Sequence, residues 1–141
     1  MRRHLFAILL AGLAFSPTAT PLSAQTSAIP EVQATIFAQI EAMKADDFVT
    51  AFTYASPMIK GMFGNPENFG MMVRQGYPMV WHPSAVQMLE QREVAGALWQ
   101  KVLVTDGEGQ SFVLDYQMIQ TAEGGWQINA VQLLPSAGVG A

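Results

Sequence analysis

Four strand-length runs follow one another near the C-terminus, separated only by short glycine turns. The runs are residues 86–94, 97–105, 111–120 and 126–134. Between them lie Ala95-Gly96, Asp106-Gly107-Glu108-Gly109 and Glu123-Gly124-Gly125. Parallel neighbours need a crossover of about a dozen residues or more, so connections this short make antiparallel hairpins. This half of the chain is committed to a four-stranded antiparallel meander. Its third run alternates, with Phe112, Leu114, Tyr116 and Met118 on one side and Val113, Asp115, Gln117 and Ile119 on the other. One side of such a sheet must be covered.

The cover has to come from upstream, where the periodicity is helical. Pro30 suits a first helical position, and Val32, Ile36, Ile40 and Met43 follow as one apolar stripe with Phe37 beside it. Asp46 or Asp47 caps a second helix that buries Phe48, Ala51, Phe52 and Ala55. Ser56-Pro57 then restarts a helical turn through Met58, Ile59, Met62 and Phe63. Gly64 stops it. Asn65-Pro66 opens a third helix, expected to run to about Gln75 with Phe69, Met72 and Val73 inward, and Gly76 is a natural stop. Residues 77–84 read as a loop or short extended piece. Helices first and strands second is an α+β layout: three N-terminal helices packed on a curved four-stranded antiparallel meander.

Residues 1–24 read as a secretory signal. Arg2 and Arg3 form a basic start, an uncharged apolar run follows, and Ser23-Ala24 before Gln25 is a plausible cleavage point. The apolar run is too short to span a bilayer comfortably. The expected product is exported, in the periplasm, with a flexible lead at 25–29, one domain at 30–135 and a flexible tail at 136–141. Cleavage removes two of seven basic side chains and none of eleven acids, leaving five against eleven, a net charge of −6. Those five bases are scattered, which argues against nucleic acid and against an anionic membrane surface as partners. The chain has no cysteine, so thiol nucleophiles, thiolate metal sites and redox dithiols are excluded.

Two segments carry a resemblance. IEAMKADDFVTAFTYASP (residues 40–57) and GGWQINAVQLLP (residues 124–135) resemble the opening helical pair and the last strand of the nuclear-transport-factor-2-like superfamily. ENFGMMVRQGYPMVW (67–81), ALWQKVLVTD (97–106) and LDYQMI (114–119) resemble a family of uncharacterised exported bacterial proteins, a domain of unknown function. The resemblance implies a cone-shaped α+β fold and export, and no particular activity, since that superfamily holds both enzymes and plain binders.

Several residues are candidates for chemistry. An isomerase- or lyase-type enzyme needs a base and an oxyanion donor facing one pocket, and Asp115 and His82 are the candidate bases. Asp115 and Tyr116 are neighbours on a strand and point to opposite faces, so Tyr77 or Tyr54 would have to partner Asp115. The plainer reading of Asp115 is a solvated carboxylate or one paired with Arg74. Five of the methionines fall in residues 58–79. Met58, Met62 and Met79, the last near His82, would suit Cu(I), but their neighbours are apolar, and methionine also fills irregular cores and pockets.

The reading that fits best is non-catalytic binding of a small apolar molecule or a protein partner through the concave sheet face, with no cofactor. Phe69, Met72, Tyr77 and Trp81 are expected to line or roof that face. Tyr116 and Gln117 are the sheet contributors, and their opposite parity allows one of them at most to face inward. Dimerisation through an open sheet face is a further alternative.

Overall fold

The computed structural model describes residues 28–123 and 125–135. The expected leader and tail, and residues 25–27 of the expected lead, lie outside them. Ile29 is not free: its N–H donates to Gln91 Oε1 at 2.7 Å, and it packs against the core.

Among the described residues five helices precede the sheet: α1 (Pro30–Lys44), α2 (Phe48–Thr53), α3 (Pro57–Phe63), α4 (Pro66–Gly76) and α5 (Pro78–Trp81). Three of their starts follow the sequence signals. The side chains of Asp47, Ser56 and Asn65 each accept a backbone N–H from the first turn of the helix that follows. The restart at Ser56-Pro57 is a helix of its own, because its Ser cap isolates it upstream and Gly64, at φ 81°, ends it downstream. The expected loop after Tyr77 contains α5, where Pro78 sets the first φ and the segment closes one turn. In α1, Val32, Ile36, Ile40 and Met43 are buried as one stripe, while Phe37 is 40% exposed. Gln39, also in that stripe, is buried too. Among the described residues no helix is long and apolar enough to cross a membrane.

The strands β1 (Pro83–Val94), β2 (Ala97–Asp106), β3 (Ser111–Thr121) and β4 (Gly125–Leu133) form one antiparallel sheet in sequence order. Ala95 and Gly96 both take positive φ, 52° and 81°, as a two-residue hairpin of matching twist requires. The inner face presents Val102 and Val104, then Leu114, Tyr116 and Met118, then Ile128, all buried beneath the helices.

A register shift between Pro83 and Ala85 marks the start of β1, and two bulges lie deeper in the sheet. Met88 faces Val102 while Gln91 faces Gln100, so β1 carries an extra residue. Gln100, wholly buried, donates to Leu89 O at 3.0 Å and Lys101 O at 2.8 Å, satisfying carbonyls around that bulge. On β4, Gln117 faces Ala130 while Met118 faces Ile128, which leaves Asn129 as the extra residue. A bulge bends its strand and sharpens the twist.

The second bulge is where helices and sheet are tied. Ser56 N donates to Ile128 O at 2.8 Å and Ile128 N to Tyr54 O at 2.9 Å, a short parallel bridge along the free edge of β4. The Ser56 hydroxyl donates to Asn129 Oδ1 at 2.8 Å while accepting from Ile59 N. Asn129 Nδ2 then donates to Gln117 Oε1 at 2.9 Å. Replacing Ser56 by Ala removes a helix cap and leaves Asn129 short of a donor, so Ser56→Ala is expected to lower unfolding free energy by about 2 kcal/mol. Urea denaturation of the mature chain measures this, and a loss below roughly 0.5 kcal/mol, the range of an ordinary surface change, would contradict the anchor.

Candidate functional site

A cavity of about 320 Å³ lies between the helices and the β4 side of the sheet. The α3 helix supplies Met58, Ile59, Met62 and Phe63, and α4 supplies Phe69, Met72 and Val73. Tyr116 forms part of the floor, and Ile128 to Val131 run along one side. The aromatic part of the wall is packed ring on ring. Phe69 packs on Phe52 and Phe63 with ring centroids 5.5 and 6.0 Å away. The α3 helix is the loose wall, since none of its residues is buried and Met58 and Met62 are 54% and 64% exposed. They flank an opening to solvent.

Of the six residues expected to line the ligand face, Phe69, Met72, Tyr77 and Tyr116 stand around this cavity. Gln117 does not, because β3 parity turns it away and its amide supports Asn129. Trp81 does not either. Its indole N–H donates to Asp46 at 2.8 Å, its ring packs on His82, and Arg74 sits 5.5 Å from it and 4.5 Å from Phe48. Those contacts hold it at the surface, beside a separate depression near the β2–β3 turn.

The candidate bases are elsewhere. His82 is exposed beside Trp81 in that depression. Asp115 is on the outer sheet face, 5% exposed, where both its oxygens accept from Arg92 and not from Arg74, Tyr77 or Tyr54. The hydrogen bond from Arg92 to that carboxylate raises the guanidinium's pKa above its ordinary value. Among the described residues no acid, histidine or basic residue is part of the cavity wall. The three candidate metal ligands divide as well: Met58 and Met62 are at the cavity mouth, whereas Met79 is buried against the other depression with His82.

Sequence reasoning named Tyr116 and missed Gln39. Gln39, 4% exposed, enters the cavity wall from α1. Its amide nitrogen donates to Ala51 O at 3.3 Å, and no described residue donates to its Oε1. The Tyr116 hydroxyl, on a residue 1% exposed, has no hydrogen-bond partner among the described residues. Both residues line the cavity, whereas Gln127, whose Oε1 is buried with no partner among the described residues, does not. Tyr77, by contrast, is satisfied by donating to Val131 O at 3.2 Å. Gln39 was legible, since it falls between Ile36 and Met43 on the buried stripe of α1.

Burial pushes the Tyr116 phenol well above its ordinary 10.0, and the neighbouring Tyr77 acts in the same direction. The folded state therefore favours the neutral phenol. Its contribution to stability is complete below pH 10.0 and is lost as pH rises toward the folded-state value. Denaturation midpoints of the wild type are expected to fall more steeply above pH 10.0 than those of Tyr116→Phe. Parallel pH profiles would show that the phenol is not held neutral by the fold.

The comparisons with known proteins come down to one match. The family model described as "Domain of unknown function (DUF4864)" matches residues 25–141, most of the chain. Neither the curated proteins nor the solved structures return a match. With its helical layer, its meander and its cavity all inside the matched span, the chain belongs to the DUF4864 family, a domain of unknown function.

Proposed function

We propose that this chain is an exported, non-catalytic binding protein that holds a small apolar molecule in the cavity beside β4. The observation that carries the reading is the cavity itself, roofed by Phe63, Phe69 and Met72 with no charged side chain among the described residues of its wall. Ligand sites are concave, mostly apolar and oriented by a few polar groups, and this one has that composition. In this reading the fold is the nuclear-transport-factor-2-like cone. Export rests on the basic start and apolar run of residues 1–24, and the family match begins at residue 25, directly after the expected cleavage point. The enzyme alternative lacks support from position: Asp115 and His82 both sit away from the cavity.

The test is to produce the full chain with its own leader in a bacterial host and analyse the periplasmic extract. Intact-mass measurement is expected to show a chain that begins at Gln25. Solvent extraction of the purified protein is expected to release a small molecule that is absent from a Val131→Phe variant, whose larger side chain fills the cavity. Retention of residues 1–24 would contradict export, and identical extracts from the two proteins would contradict binding at this site.

A further inference from the structure

We infer that the cavity takes an uncharged amphiphile: a short apolar body ending in one hydroxyl-like group that bonds Tyr116 and Gln39. This rests on the cavity being a binding site, as proposed above, and specifies what it binds.

Among the described residues the wall offers one donor without a partner, the Tyr116 hydroxyl, and one acceptor to which nothing donates, Gln39 Oε1. Both residues are more than nine-tenths buried, at 1% and 4% exposed. A buried polar atom without a partner is costly, and native proteins rarely keep two beside the same empty space. A ligand hydroxyl is donor and acceptor at once, so a single such group can satisfy both. A carboxylate has no proton to give Gln39 Oε1, and an ammonium cannot accept from Tyr116. Either ion would also be buried with no opposite charge in the wall. The other polar side chains of the wall are committed, Asn129 to Ser56 and Gln117, and Tyr77 to Val131 O. Size sets the rest: about 320 Å³ holds about ten methylene- or water-sized groups at roughly 30 Å³ each. The exposed Met58 and Met62 place the entrance at α3, and their flexible side chains suit a mouth that adapts to its occupant.

Octanol, octane, octanoate and octylammonium have matched chains and different ends. Each is titrated at neutral pH into the mature protein carrying isotope-labelled methionine methyl groups. Met43, Met58, Met62 and Met72 report from the cavity wall, while Met71, Met88 and Met118 report from outside it. The wall methyls are expected to shift with octanol, which binds about tenfold or more tighter than either ion. Tyr116→Phe is expected to weaken octanol roughly 2- to 10-fold and leave octane unchanged. The methyl spectrum without ligand verifies that this variant is folded. Octanoate or octylammonium binding as tightly as octanol would overturn the uncharged end while sparing the cavity. Unchanged octanol binding by Tyr116→Phe would overturn the role of the hydroxyl. If none of the four shifts the wall methyls, the binding site itself is wrong.

Discussion

The hydrogen-bonded tie at Ser56 is the constraint on which the rest of the structure depends. Backbone at residues 54–56 joins the edge of β4, and the Ser56 side chain reaches the bulge residue Asn129 while capping α3. A free strand edge with unpaired groups is a liability, and this short bridge covers part of it. The same tie sets where α3 begins and how far it stands from the sheet. Downstream of it, α3 and α4 present large side chains, whereas Ala55 and Ala130 beside the tie are small. Large residues held apart by a fixed anchor, opposite small ones, leave space that side chains do not fill. The cavity is thus a product of anchoring as much as of apolar composition.

The two faces of the sheet divide the chemistry between them. The inner face is apolar and carries Tyr116 beneath the helices. The outer face carries the Arg92–Asp115 pair and the Lys101–Glu90 pair, at 2.8 Å. Asp115 and Tyr116 are consecutive, yet the pleat puts one in an ion pair and the other in a cavity. A bifunctional site made from those two neighbours is ruled out by geometry. What remains inside is a hydrogen-bonding pair without charge, better suited to holding a molecule than to removing a proton from it.

The sequence made some of this legible and hid the rest for definable reasons. Turn chemistry and side-chain alternation act locally, so the meander and the two sides of β3 could be read directly, whereas which side turns inward is set by the helices packed on it. Cap-and-proline pairs at Ser56 and Asn65 marked helix starts for the same reason. Bulges were not legible, because an extra residue declares itself only against a partner strand. The consequence is large at Arg92. Without the β1 bulge it would oppose Leu98 on the inner face; with it, Arg92 opposes Trp99 on the outer face and reaches Asp115. Trp81 was misplaced because its indole partner, Asp46, is far away in sequence. Gln39 was passed over because the stripe of α1 was drawn through its apolar residues alone, and a buried glutamine declares itself only against the elements packed on it.

The central claim is that the space beside β4 is a real, apolar, accessible cavity. Xenon enters dry apolar cavities and is readily located by its scattering. Crystals of the mature protein held under xenon pressure are therefore the most direct test. The account predicts xenon bounded by Phe69, Met72, Tyr116 and Val131. A wall collapsed onto Tyr116, with no xenon in that space, would contradict it.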